Sequence, residues 1–171
     1  PRTHLTHLTH SLCTACSCSL NPVQAVSLKR LVQRLLYIAM PSDSLRSAAL
    51  YLRNEVTLQK PKMPVIASDE WHVFLTGSPN ASKVQAALKL HVPSFKMCVG
   101  QGDCCADTPQ MLKSHVVVVF GEAGAFSCPS TEAILNRAQL NGKPTVAINP
   151  GVVFADLLGQ CPKTLHAYLF Q

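Results

Sequence analysis

Four consecutive valines, Val116 to Val119, lie between His115 and Phe120 and limit what the chain can become. A strand with one wet face alternates apolar and polar residues, whereas an uninterrupted run of strand length fits burial on both faces. Such a strand belongs in a parallel sheet covered by helices on each side. The rest of the chain supplies the parts. Further short strands are predicted over His72 to Thr76, closed by Gly77-Ser78-Pro79, over Phe95 to Val99 and over Thr145 to Ile148. Helical spacing runs from Asn80 to Leu90, with Val84, Ala87 and Leu88 facing inward. Gly100 to Asp107 is turn-rich, and Thr108-Pro109 opens one short helix. Gly121 to Pro129 reads as a loop, Ser130-Thr131-Glu132 caps a helix to about Leu140, and Asn141-Gly142-Lys143-Pro144 stops it. After Asn149-Pro150-Gly151 come a short helical piece and a last helix from Pro162 to Phe170. Strands alternating with helices imply right-handed βαβ units, hence an α/β fold: a three-layer parallel sheet of about four strands with flanking helices, preceded by two N-terminal helices.

The N-terminal third differs in composition. Residues 1–20 form a low-complexity tail, 21–62 a basic helical region, and 63–171 the parallel α/β domain. Asn21 reads as an N-cap with Pro22 at the first helical position, followed at helical spacing by Val23, Val26, Leu28, Leu31, Leu35 and Ile38, with Val32 and Leu36 widening the stripe. Pro41 ends that helix. Ser42 or Asp43 caps a second one carrying Leu45, Ala48, Ala49 and Leu52, and the two prolines of Lys60 to Pro64 make a linker. The net charge of +6 sits entirely here: residues 1–62 hold eight basic residues against two acids, and residues 63–171 hold seven of each. Localised positive charge points to an anionic partner. The residues expected nearest to phosphates are Lys29, Arg30, Arg34, Arg46, Arg53, Lys60 and Lys62. Because the first acid is Asp43, the acid-free stretch before it, with its amphipathic basic helix, also has the character of a mitochondrial targeting region.

Catalytic candidates are few. In a parallel sheet ligands bind beyond the carboxyl ends of the strands, where three loops emerge: Thr76 to Asn80, Gly121 to Cys128, and Asn149-Pro150-Gly151. Neither glycine loop has the Gly-x-Gly-x-x-Gly or P-loop pattern. Glu122 and Glu132 make a conceivable carboxylate pair, although Glu132 is more simply a first-turn acid. Cys128 before Pro129 is a candidate thiolate at a helix N-terminus. His4, His7, His10, Cys13 and Cys16 recur every three residues with Cys18 close behind, a zinc half-site spacing that Cys104-Cys105 could complete. The competing reading is a low-complexity, partner-bound tail, and no catalytic residue, metal or cofactor is assigned. The eight cysteines are expected mostly as reduced thiols, several buried. No apolar run approaches the ~20 residues of a membrane span.

Two family resemblances follow. His72-Val-Phe-Leu-Thr-Gly-Ser-Pro with its Ala-rich helix, Phe95-Lys-Met-Cys98, His115 to Phe120, and Thr131 to Asn149 together resemble, in order and pattern, the universal small-subunit ribosomal protein two family. That family's N-terminal His-Phe-Gly-His is missing, and its long insertion after the second strand is reduced to Gly100 to Ser114. The Asp that usually follows its third strand is replaced by Gly121-Glu122. The resemblance implies a reduced mitochondrial form: a non-catalytic subunit of the small ribosomal subunit, with ribosomal RNA and neighbouring ribosomal proteins as partners. No membrane and no small-molecule substrate are expected. Separately, Val116 to Asn149, with Gly121, Gly124 and Gly142-Lys143-Pro144, is similar to the sugar-nucleotide half of glycosyltransferases of the two-Rossmann type, minus their loop histidine. That implies a uridine-nucleotide pocket near Gly77, Gly121 and Asn149. A third expectation is an accessory subunit of another mitochondrial complex.

Overall fold

The fold was analysed in a computed structural model of the chain, which describes residues 19–39, 63–76, 78, 80–121, 124–148 and 154–169. The second N-terminal helix and most of the linker read from the sequence lie outside these residues. Helix α1 spans Pro22–Ala39, followed by β1 Trp71–Leu75, α2 Ala81–His91, β2 Met97–Val99, α3 Cys104–Leu112, β3 Ser114–Phe120, a 3₁₀ turn Ala125–Ser127, α4 Pro129–Leu140, β4 Thr145–Ile148, α5 Phe154–Gln160 and α6 Lys163–Leu169. The four strands form one all-parallel sheet in the order β2-β1-β3-β4. The α/β expectation holds, and all seven residues of β3 are buried.

Strand order and crossover hand together dictate the layers. The chain moves outward from β1 to β2, then back past β1 to β3 and on to β4. Right-handed connections therefore put α2 on one face and both α3 and α4 on the other. The cores agree. Val73, Leu75, Val116, Val118 and Phe120 pack with Val84 and Leu88 of α2, while Phe74, Val117 and Val119 pack with Met111, Ile134, Leu135 and Leu165. With α3 and α4 both on the far side, the β3–β4 half of the first face lacks a crossover helix. Helix α1 covers it: Leu28, Val32, Leu35 and Leu36 join Val116, Val118, Val146 and Ile148 in the same core.

Several boundaries differ from the sequence reading for identifiable reasons. The buried stripe of α1 starts at Leu28, and Val23 and Val26 stay 75% and 46% exposed. The start of α1 is a capping box: Gln24 N–H donates to Asn21 Oδ1 at 2.9 Å, and Gln24 Oε1 accepts from Asn21 N–H at 3.0 Å. Helix α3 begins at Cys104 instead of at Thr108-Pro109, since Asp103 caps it by accepting from Cys105 N–H at 2.9 Å. Pro109 lies inside, where its missing N–H forgoes only a bond to the carbonyl of exposed Cys105. Strand β2 is shortened to Met97–Val99, and α4 starts one residue early, with Pro129 in its first turn. Gly142 adopts φ +60° and closes α4, its N–H reaching Gln139 O while Lys143 N–H reaches Ala138 O, both at 3.0 Å.

If α1 is a core element, truncating its inner and outer valine or leucine positions must have unequal effects. Leu28→Ala should lower the unfolding free energy by about 2–5 kcal/mol, and Val23→Ala by under about 0.5 kcal/mol. Urea unfolding of the full chain measures both, and equal small effects would show that α1 does not pack as described.

Candidate nucleic-acid interface

Charge is distributed by layer. Helix α1 (PVQAVSLKRLVQRLLYIA) and helix α2 (ASKVQAALKLH) pack side by side on one face and together carry Lys29, Arg30, Arg34, Lys83 and Lys89 with no acid. Arg30, Arg34, Lys83 and Lys89 are exposed, and Lys29 is half-buried. The opposite layer is mixed, with Asp107 and Glu132 in the same layer as Arg137 and Lys163.

Local stability does not favour this arrangement. Arg30 and Arg34 stand four apart on one helix, a like-charge spacing that costs a few tenths of a kcal/mol. Lys83 occupies the first turn of α2, against the helix dipole. Between Leu28 and Leu36 the apolar stripe of α1 is consumed by the core, so this part of the helix presents a polar, cationic ridge. Of the phosphate-contact residues expected from sequence, Lys29, Arg30 and Arg34 fall on this face. Arg46, Arg53, Lys60 and Lys62 lie outside the described residues. Lys83 and Lys89 were missed, because the neutral sum over residues 63–171 hides which layer each charge occupies.

The basic helix is held from beneath by a buried polar cluster that the sequence did not announce. Glu70, 7% exposed, sits where the amino ends of the strands meet the segment entering α1. Its carboxylate accepts from Ser19 N–H at 2.9 Å, from the Ser19 hydroxyl, and from Ala67 N–H at 3.0 Å. His115 Nε2 lies 3.1 Å from Glu70 Oε2. Burial alone would raise the Glu70 pKa, but the hydrogen bonds from Ser19, Ala67 and His115 outweigh it and bring the group down to about 2. Serine and histidine both address the carboxylate and not each other, so this is a brace and not a nucleophile–base pair. Beside it, His72 Nδ1 accepts from Lys96 N–H at 3.0 Å, which leaves the proton on Nε2 to meet Pro64 O at 2.9 Å. Burial lowers the His72 pKa, consistent with a neutral ring.

The carboxyl ends of the strands offer less. The direction of chain progression reverses between β1 and β3, the switch point at which α/β folds bind ligands. There Phe74, Thr76, Gly102, Asp107, Ser130, Thr131 and Ile134 surround a cleft of about 10 Å³, room for roughly one water. Gly77, Glu122, Ala123 and Asn149–Gly151 lie outside the described residues, and so does the expected Glu122–Glu132 pairing; Glu132 itself is half-buried in the first turn of α4. The Cys128 thiol is exposed, and the backbone N–H groups of Thr131 and Ser130 lower its pKa. His166 is engaged with the Cys161 carbonyl at 2.9 Å. Lys143, from the Gly-Lys-Pro stretch, is buried with its ammonium on the carbonyls of Leu112 and Ser114, both at 2.7 Å. That is the amino end of the sheet, away from any switch-point ligand. Cys98, Cys104, Cys105, Cys128 and Cys161 are free thiols, and only Cys161 of these is buried. Among the described residues no helix is long and apolar enough to cross a membrane.

Glu70 makes a signed pH prediction. Its pKa is depressed from an ordinary value of 4.5 to about 2, so its stabilisation is present above pH 4.5 and is lost as pH falls towards 2. Glu70→Gln should lower stability at pH 7 by roughly 2 kcal/mol and flatten the acid dependence between those limits. Denaturant midpoints measured across that range test it, and an unchanged acid slope would remove Glu70 as the brace.

No protein-family model, curated protein or solved structure matches the chain.

Proposed function

We propose that this chain is a non-catalytic structural subunit of a ribonucleoprotein, docked through the α1–α2 face onto the phosphate backbone of folded RNA. The carrying observation is that this two-helix face holds five cations and no acid. RNA is favoured over a lipid surface because Leu28, Val32, Leu35 and Leu36 of α1 lie in the core, which leaves only Val23 and Val26 among its described apolar residues exposed. Phosphate contact and shape are favoured over base reading, since the described exposed positions of the two helices supply cations without aromatic rings to stack on bases. The small ribosomal subunit of mitochondria is the assembly we assign, with ribosomal RNA and neighbouring ribosomal proteins as partners. Support for that assignment comes from the acid-free stretch before Asp43, from the pattern resemblance to the ribosomal protein two family, and from the four-strand parallel domain behind the basic helix.

Two measurements test this reading. In gradient sedimentation from native cells, the protein should travel with a small ribosomal subunit and leave that position on ribonuclease treatment. Sedimentation as free protein, or in a large complex indifferent to ribonuclease, would refute it. With purified full-length chain and a structured RNA, Arg30→Glu/Arg34→Glu and Lys83→Glu/Lys89→Glu should each weaken binding at least tenfold. Each should also reduce the salt slope by about one for every phosphate left without its cation. Unfolding midpoints should hold, because these side chains are exposed. Normal binding by the α2 pair alone would restrict the interface to α1.

A further inference from the structure

The start of α3 carries chemistry that the basic face does not use. A ligand atom from each of Asp103, Cys104 and Cys105 lies within 4.8 Å of the others. Asp103 and Cys105 are exposed, and Cys104 is half-buried. The backbone beneath these side chains is fixed. Asp107, one turn further along α3, is buried and accepts from Gln101 N–H at 2.9 Å and Gly102 N–H at 3.0 Å. Gly102 holds φ +85°, a conformation that favours glycine. Gly100 lies so close that an added Cβ would stand 2.8 Å from both Asp107 Oδ2 and Phe74 Cζ. The loop is thus braced by the helix it opens, and two thiols and a carboxylate are presented together.

We propose that Asp103, Cys104 and Cys105 form a three-ligand site for a thiophilic divalent cation of the zinc class, with water in the fourth position. Metal–sulfur bonds of about 2.3 Å and a metal–oxygen bond near 2.0 Å place tetrahedral ligand atoms roughly 3.5–3.8 Å apart. Rotation of the exposed Asp103 and Cys105 side chains toward the half-buried Cys104 closes the remaining distance. Magnesium and calcium are excluded by donor type, since only one oxygen ligand is offered. On binding, two S–H bonds break, two metal–thiolate bonds and one metal–carboxylate bond form, and two protons pass to buffer with no redox change. Because α3 packs on the layer opposite α1 and α2, this site stands apart from the proposed RNA face.

Cobalt(II) titration of the reduced full-length chain tests the site, with thiolate-to-cobalt charge-transfer absorption as the readout. Cys13, Cys16 and Cys18 are first replaced by serine, since they too offer sulfur. That variant should bind one equivalent of cobalt with the absorption intact. The dissociation constant should fall about a hundredfold per pH unit from pH 6 to 7, as release of two protons requires. Cys105→Ser, at an exposed position, should abolish the absorption without altering the circular dichroism of the fold. Asp103→Asn keeps a good N-cap and should weaken binding at least tenfold with helix content unchanged. Absorption that survives Cys104→Ser/Cys105→Ser, that vanishes with the N-terminal cysteines, or that follows an affinity independent of pH would overturn the proposal.

Discussion

Right-handed crossovers leave the β3–β4 half of one sheet face without a helix, and the structure depends on α1 to fill it. Strand β3 is apolar on both sides, so its Val116, Val118 and Phe120 cannot face water. Helix α2 belongs to the β1–β2 connection and lies over that half. Helix α1, arriving from the N-terminal region, places Leu28, Val32, Leu35 and Leu36 over the remainder. The amphipathic helix, which reads in the sequence both as an address and as a helix laid on the α/β domain, is an integral part of the layered architecture. Each buried leucine of that stripe contributes about 1.5–3 kcal/mol, which fixes the helix's rotation about its axis and turns Arg30 and Arg34 outward.

The same constraint explains why the basic surface is larger than the N-terminal region. Once α1 lies beside α2, Lys83 and Lys89 extend the positive ridge across a second helix. The acids of α3 and α4 stay behind the sheet. Layer spacings of roughly 10 Å separate the two helical faces by more than the Debye length of about 8 Å at physiological salt. The acids therefore do little to cancel the basic face, and the asymmetry would orient the molecule toward the anionic partner proposed above before contact.

Elements that bury apolar surface were legible in the sequence, because period and length report burial directly. The valines of β3, the Asn21-Pro22 start of α1 and the Asn141-Gly142 stop of α4 all took the expected roles. Local chemistry misled at α3, where Pro109 looked like a helix opener while the Asp103 cap went unread. Features that depend on three-dimensional assembly were not legible. Glu70 gathers Ser19, Ala67 and His115 from separated segments, and an acid in a short turn ordinarily reads as solvated. The α2 half of the charged face, Lys83 and Lys89, was invisible for a related reason: summing charge along the chain averages over two opposite layers. The glutamine half of the Asn21–Gln24 capping box, by contrast, was open to view in the residues.

The buried brace and the exposed cations belong to one mechanical argument. A docking helix transmits an external load only if it is anchored to the sheet, and a greasy interface alone resists sliding poorly because apolar contact is non-directional. Directional bonds supply the missing restraint. Glu70 accepts from both the N–H and the hydroxyl of Ser19, three residues ahead of the first turn of α1, and also contacts His115 at the base of β3. It thereby ties the start of the helix to the strand most deeply buried in the sheet, while the leucine stripe fixes the rotation. An anchored, rotationally fixed helix can hold its arginines at a constant spacing, which the proposed shape-based recognition of an RNA backbone would require.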